Sequence, residues 1–234
     1  MPAPTFDKPA GTVLITRCSE EGIGSALAQA FNDRGFHVFA TARSLSKMTH
    51  LEQVPHIALL ELFNVNFWGM VQVTHTFMPL LIASRGTLIN NASLAGIFNM
   101  PWGSFYNASK SAVRMYSESL RVEVAPLGVK VVTIMTGIVA TKMFDNAPQA
   151  SLPETLYYKS ASKQIEQLAS DERFASTAMP AAVYAKGVVD DVLRRHSGMA
   201  WRGKIASLGW FIHSFFPTWL ADRAFGAGSG LEKI

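Results

Sequence analysis

The sequence has 234 residues, 49% of them hydrophobic and 16% charged, enough apolar material for one buried core and too little charge for a disordered chain. A formal charge of +4, spread over single basic residues and pairs such as Arg194-Arg195, speaks against a nucleic-acid-binding surface. Cys18 is the only cysteine, which excludes an intrachain disulfide and a thiolate metal cluster.

Residues 1–16 lack a basic stretch followed by an apolar one, so no secretory signal is expected and the cytoplasm is the expected compartment. No apolar run reaches the ~20 residues that a bilayer span needs. The nearest, residues 205–220, is interrupted by His213 and Pro217. His75, His196 and His213 show no metal-ligand spacing, and no metal is expected.

Residues 12–16, TVLIT, form a short β-branched run, and the turn at Gly22-Ile23-Gly24 leads into a helical pattern that closes at Gly35. FHVFAT (36–41) and HIALLE (56–61) read as second and third strands. Residues 63–84 predict a long helix, apolar nearly all round and therefore buried. Residues 87–91 predict a strand, followed by a loop containing Gly and Pro. Residues 104–125 predict an amphipathic helix with Ser104 as its N-cap and Pro126-Leu127-Gly128 as its stop. VKVVTIM (129–135) is the next strand. Strands alternating with helices predict an α/β fold of one domain over 1–234, a Rossmann-like, doubly wound, mostly parallel sheet with helices on both faces. Residues 145–200 are the expected substrate-loop region and 201–234 an apolar C-terminal segment.

Tyr106 and Lys110 form a Y-x-x-x-K pair, and residues four apart share one helical face. A free phenol, with a pKa of ~10, is a poor acid-base catalyst at neutral pH, but a neighbouring ammonium stabilises the phenolate. Tyr106 is therefore a candidate to give a proton to a ketone oxygen, or to take one back in reverse.

The stretch from Ile89 to Met143, with Y-N-A-S-K-S-A-V inside it, resembles the short-chain dehydrogenase/reductase superfamily. Ser93 precedes Tyr106 by that superfamily's usual interval. The resemblance implies that Ser93 hydrogen-bonds the substrate oxygen, that Tyr106 is the acid or base, and that Lys110 binds the nicotinamide ribose and tunes Tyr106. It implies that Asn66, in F-N-V-N-F-W-G, supports a proton-relay water.

Among relatives the sequence is most similar to fungal reductases of the 1-acyldihydroxyacetone-phosphate reductase type, whose first turn reads T-G-C-S-x-G-G-I-G. Here it reads T-R-C-S-E-E-G-I-G, with Arg17 and Glu21 in place of glycines. A side chain in a glycine-dependent conformation costs on the order of 1 kcal/mol, and Glu20 and Glu21 bring negative charge towards a phosphate. By the resemblance, Thr16, Ser19, Gly22, Ile23 and Gly24 would cradle the cofactor, with Arg17 either offsetting the lost glycine or standing in solvent. The second strand is followed by Arg43 and no acidic residue, which favours a 2′-phosphate and hence NADP(H). T-G-I-V-A-T resembles the family's P-G-x-x-x-T with Thr136 in place of proline, so Ile138 and Thr141 would complete the cofactor contacts alongside Asn66, Tyr106 and Lys110.

The same resemblance implies a gap. Between Glu61 and Phe63 the family has a helix, a central strand ending in N-N-A-G, and the start of the next helix, roughly fifty residues that are absent here. The Asn90-Asn91-Ala92-Ser93 run imitates N-N-A-G, but its distance from Tyr106 assigns it to the serine strand. Loss of a central helix-strand unit would leave unpaired edges inside the sheet or force a strand to slide across. A shortened working variant, an inactive remnant and a lost exon are all compatible with the letters.

The aromatic run from Trp201 to Phe225 resembles the tail of lipid-linked fungal reductases. It would wall an apolar substrate tunnel, give peripheral membrane contact through 201–220 at the endoplasmic reticulum or lipid droplets, or pack as an ordinary last strand and helix. The expected reaction is interconversion of a ketone and a secondary alcohol on an apolar, lipid-like or secondary-metabolite substrate. Acyl-dihydroxyacetone phosphate and a polyketide or terpenoid intermediate are candidates, and a homo-oligomer is possible. The competing reading is an inactive member serving as a binding or scaffold protein.

Overall fold

The computed structural model describes residues 10–15, 22–40, 62–141, 158–169, 177–194 and 197–234. The expected third strand at 56–61 lies outside the described residues, as do Thr16, Arg17, Ser19, Glu20, Glu21 and Arg43.

The first unit is strand β1 (Thr12–Ile15), helix α1 (Ile23–Asn32) and strand β2 (His37–Ala40), with β1 and β2 parallel. The turn back into β2 needs a left-handed residue, supplied by Gly35 at φ 78°. Next come a π-helical turn (Asn64–Trp68), helix α2 (Gly69–Ser84), strand β3 (Thr87–Asn91), helix α3 (Ser104–Val124) and strand β4 (Lys130–Thr136). The short strand β5 (Val139–Ala140), helix α4 (Ser162–Ala169), short strand β6 (Met179–Pro180) and helix α5 (Ala181–Leu193) follow. Strand β7 (Gly198–Arg202) and helices α6 (Ala206–Phe215) and α7 (Thr218–Gly226) complete the chain.

All named ladders are parallel: β1 with β2, β3 with β4, β4 with β7, and β5 with β6. β4 lies between β3 and β7 and is buried along almost its whole length, which its β-branched sequence suits. Its side chains alternate between two layers, as the period of two demands. Val131 packs with Val124 and Leu120 of α3 and Met78 and Leu81 of α2. Val132 and Ile134 pack instead with Tyr184 and Val188 of α5, joined by Ile23 and Leu27 of α1. Helices therefore cover both faces, as expected.

Among the described residues no ladder joins β1 to β3, so the sheet is in two parts at the place where the resemblance implies a missing strand. The two parts still touch through side chains. Ile15 of β1 and Ile89 of β3 belong to one apolar cluster with Phe31 and Val189. Burial of apolar surface thus bridges a break that backbone hydrogen bonds do not.

Two sequence expectations need correction. The helix around α2 is not buried all round: Thr74 is its only fully buried residue among those described, and Trp68, Val73 and Leu80 are exposed. The reason is that one face meets β3 and the α3 layer, and among the described residues no element covers the exposed side chains of the opposite face. Ser104 is not the N-cap of α3; Gly103 takes that place, accepting from the Asn107 N–H, with no side-chain cap. The Asn107 amide turns instead to the Met100 carbonyl. The stop at Pro126 to Gly128 is as expected, with Gly128 left-handed at φ 80°.

Candidate active site

The carboxyl ends of β3 and β4 and the first turns of α3 converge, and most of the expected catalytic residues lie there. β3 ends at Asn91, and two residues later the extended backbone of Ser93 caps a short 3-10 turn, its hydroxyl accepting from the Ala95 N–H at 3.1 Å. That turn lies directly on α3. The Gly96 carbonyl accepts from Ser111 Oγ at 3.0 Å and from Arg114 Nε at 3.3 Å. A Cβ on Gly96 would stand 2.8 Å from the Lys110 carbonyl oxygen, so glycine is required by close approach of two backbones.

Tyr106 and Lys110 occupy successive turns of α3, and the Lys110 ammonium lies 5.9 Å from the centre of the Tyr106 ring. Lys110 is buried, at 8% exposure, and its Nζ donates to the Asn91 carbonyl at 3.0 Å. A buried ammonium needs such an acceptor, since desolvation without one would cost several kcal/mol.

Asn66 lies in the π-helical turn, a local widening that often marks functional positions. Its amide donates to Ser109 Oγ at 3.1 Å, and that hydroxyl donates in turn to the Tyr106 carbonyl at 2.8 Å. Asn66 is therefore linked to the Tyr106 turn through Ser109, a fully buried residue that sequence reading did not single out. The signal was available: Ser109 lies between the tyrosine and the lysine, on the helix face turned inward.

Sequence reading also missed the polar cluster under the site. Thr136, at the end of β4, donates to Asn91 Oδ1 at 2.5 Å and lies 2.7 Å from the Tyr184 hydroxyl of α5. Burial pushes the Tyr184 phenol up to about 12, its bond to Thr136 opposing this only in part. Trp102, in the loop before α3, is held left-handed at φ 67°, with its indole N–H donating to the Ser229 carbonyl at 2.8 Å.

The remaining expected contacts are split. Gly22 is the N-cap of α1, and Ile23 and Gly24 form its first turn. Ile138 lies between β4 and β5, its N–H donating to the Lys204 carbonyl at 3.1 Å and its carbonyl accepting from the Lys204 N–H at 3.0 Å. Thr141 immediately follows β5.

A family model described as short chain dehydrogenase matches residues 52–151. The short-chain dehydrogenase ptmH of Penicillium ochrochloron is 37% identical, the match covering 90% of this chain and 95% of the relative. The chain belongs to the short-chain dehydrogenase family. That match runs over 260 positions, while 90% of 234 residues is about 211, so about 49 positions have no residue here. In size this agrees with the roughly fifty residues the resemblance implied. The NADPH-dependent 1-acyldihydroxyacetone phosphate reductase of Schizosaccharomyces pombe is 32% identical, covering 73% of this chain and 78% of the relative. A short chain dehydrogenase from Burkholderia cenocepacia, solved in complex with NADP, is similar in fold, with a TM-score of 0.66 at 17% identity over 92% of this chain and 97% of that one.

Short-chain dehydrogenases are oxidoreductases that use nicotinamide cofactors, and the described residues fit such a group at two places. The first-turn N–H groups of α1 have no intrahelical acceptor, and Gly22 sets no side chain over them, which suits a phosphate. The buried Lys110 ammonium offers a donor beside Tyr106, which suits ribose hydroxyls.

Proposed function

We propose that the chain is an NADP(H)-dependent oxidoreductase that interconverts a ketone and a secondary alcohol on an apolar substrate. The observation that carries this is the buried Lys110 ammonium 5.9 Å from the Tyr106 ring, on a helix to which the Ser93 turn is clamped at Gly96. In reduction, bound NADPH would supply the hydride to the carbonyl carbon. Tyr106 would pass its phenolic proton to the carbonyl oxygen, and the Ser93 hydroxyl would donate a hydrogen bond to that oxygen. The Lys110 charge would hold the phenolate left behind, and Asn66 would steady the Tyr106 turn through Ser109.

Three things support the phosphorylated cofactor: Arg43 after the second strand, the NADPH dependence in the name of the S. pombe relative, and the NADP held by the B. cenocepacia neighbour. Ile138 and Thr141 would lie beside the nicotinamide end, with Thr16, Ser19, Gly22, Ile23 and Gly24 at the phosphates. The test is NADPH consumption across a series of ketones with growing apolar chains. The expected result is turnover that improves with chain length and is at least about tenfold better with NADPH than NADH, a gap of ~1.4 kcal/mol. No consumption with any ketone would favour the scaffold reading.

The C-terminal helices carry a separate apolar surface. Leu208, Phe211, Ile212, Phe216 and Leu220 line a cavity of about 320 Å³ between α6 and α7, with Arg223 at its edge. Phe215 and Trp219 beside it are 65% and 63% exposed. No helix of the described residues is long and apolar enough to cross a membrane. We propose that these two helices instead rest on a membrane face, such as that of the endoplasmic reticulum or a lipid droplet. Co-sedimentation with anionic phospholipid vesicles should fall about tenfold on replacing Phe215 and Trp219 together by serine. Equal sedimentation of both proteins would contradict this.

A further inference from the structure

We propose that Asn91, Thr136 and Tyr184 form a positioning device that fixes the carbonyl to which the Lys110 ammonium is bonded, in place of the support a neighbouring strand would give. The proposal rests on the oxidoreductase reading above only for its effect on catalysis, not for its geometry.

The bonding order follows from the atoms. Asn91 Oδ1 accepts and cannot donate, so the single hydrogen of Thr136 Oγ1 goes to it across 2.5 Å. The Tyr184 phenol must then be the donor across its 2.7 Å contact with Thr136, and it lies 3.4 Å from Asn91 Oδ1 as well. The Tyr184 ring is 2% exposed and packed among Val132, Ile134 and Val188, so the chain of bonds is anchored in the core of the α5 layer. It remains a neutral donor over the working pH range because burial raises its pKa to about 12.

The other end of the chain needs that anchor. Asn91 is the last residue of β3, and among the described residues β3 has a ladder on the β4 side alone. Asn91 is itself exposed, yet its backbone carbonyl carries the buried ammonium of Lys110 at 3.0 Å. An exposed strand end with one ladder frays readily. The side-chain bonds tie it to Thr136 of β4 and Tyr184 of α5, both buried, and so hold the acceptor at a fixed place under α3.

The test uses Thr136→Val, which keeps shape and loses the hydroxyl, Thr136→Ser, which keeps the hydroxyl, and Tyr184→Phe as a second deletion that leaves the ring in the core. The direct readout is exchange of the Lys110 Nζ protons with water, followed by nitrogen-edited NMR in the full chain without cofactor. Exchange about tenfold faster in Thr136→Val and Tyr184→Phe, and within about twofold of the parent in Thr136→Ser, is expected. Parent-like exchange in both hydroxyl deletions, with circular dichroism showing them folded, would overturn the proposal. So would loss in Thr136→Ser equal to that in Thr136→Val. Where the parent turns over a ketone, kcat should follow the same order with cofactor affinity little changed. A parent without turnover defeats the reductase reading, and the exchange rates still decide the positioning one.

Discussion

Replacing Tyr106 by phenylalanine is expected to lower kcat by about 10²–10⁴-fold, the usual span of a single general acid or base. The substitution removes one oxygen. The ring keeps its place opposite the Lys110 ammonium, which donates to the Asn91 carbonyl at 3.0 Å. Ser109, which accepts from Asn66 and donates to the Tyr106 carbonyl, is also untouched, because it holds backbone. Cofactor affinity should therefore remain within about threefold, less than ~1 kcal/mol. Steady-state turnover together with an NADPH titration of the variant checks both halves. Turnover close to that of the parent would remove Tyr106 from the proposed role.

The second large effect is expected at Gly96. An added methyl group there would lie 2.8 Å and 2.9 Å from the carbonyl oxygen and carbon of Lys110 and 3.2 Å from the Ser111 nitrogen. These are backbone atoms inside a helix and have no rotamer into which to move. Either α3 or the Ser93 turn must shift, and overpacking of this kind costs about 1–3 kcal/mol. For a chain of this size that corresponds to a melting temperature lower by roughly 3–10 °C. The shift also separates Ser93 from Tyr106 and Lys110, and a misplacement approaching 1 Å costs about 10²-fold in rate. Gly226→Ala in α7 is the matching control. Its nearest neighbour is Leu231 Cδ1 at 4.0 Å, so the methyl group meets ordinary contact and the helix gains about 0.5–1 kcal/mol. Calorimetric melting of both variants should give shifts of opposite sign. A Gly96→Ala protein as stable and active as the parent would show that the Ser93 turn and α3 are not held in the tight register described.

The alternation of strands and helices was legible because β4 and β1 carry β-branched runs and α3 carries a clear amphipathic period. The Y-x-x-x-K spacing likewise places Tyr106 and Lys110 on one helix face without any coordinates. What could not be read was which face of an apolar helix finds a partner. The stretch 63–84 reads as buried on every side because its letters are apolar nearly all round, yet Trp68 and Leu80 are exposed, with no covering element among the described residues. The N-cap was misplaced by one residue because Asn107 turns to Met100 and Gly103 takes the capping position through its carbonyl. The Asn91–Thr136–Tyr184 chain was invisible for a different reason. Its members come from three separated segments, and only the parallel register of β3 with β4, Asn91 opposite Ile134, brings the first two together. A gap after Glu61 is an expectation from the family pattern, whereas the contact of Ile15 with Ile89, between strands that no ladder joins among the described residues, needed the fold.

With Arg17, Glu20 and Glu21 in the sequence just before Gly22, the chain is still expected to form a site for NADP(H) around Lys110 and the start of α1. Calorimetric titration of the purified full chain with NADPH, with NADH in parallel, tests this most directly. Saturable one-to-one binding of NADPH, at least about tenfold tighter than NADH, is the predicted result. No heat of binding at ~1 mM NADPH, corresponding to less than ~4 kcal/mol of affinity, would contradict it.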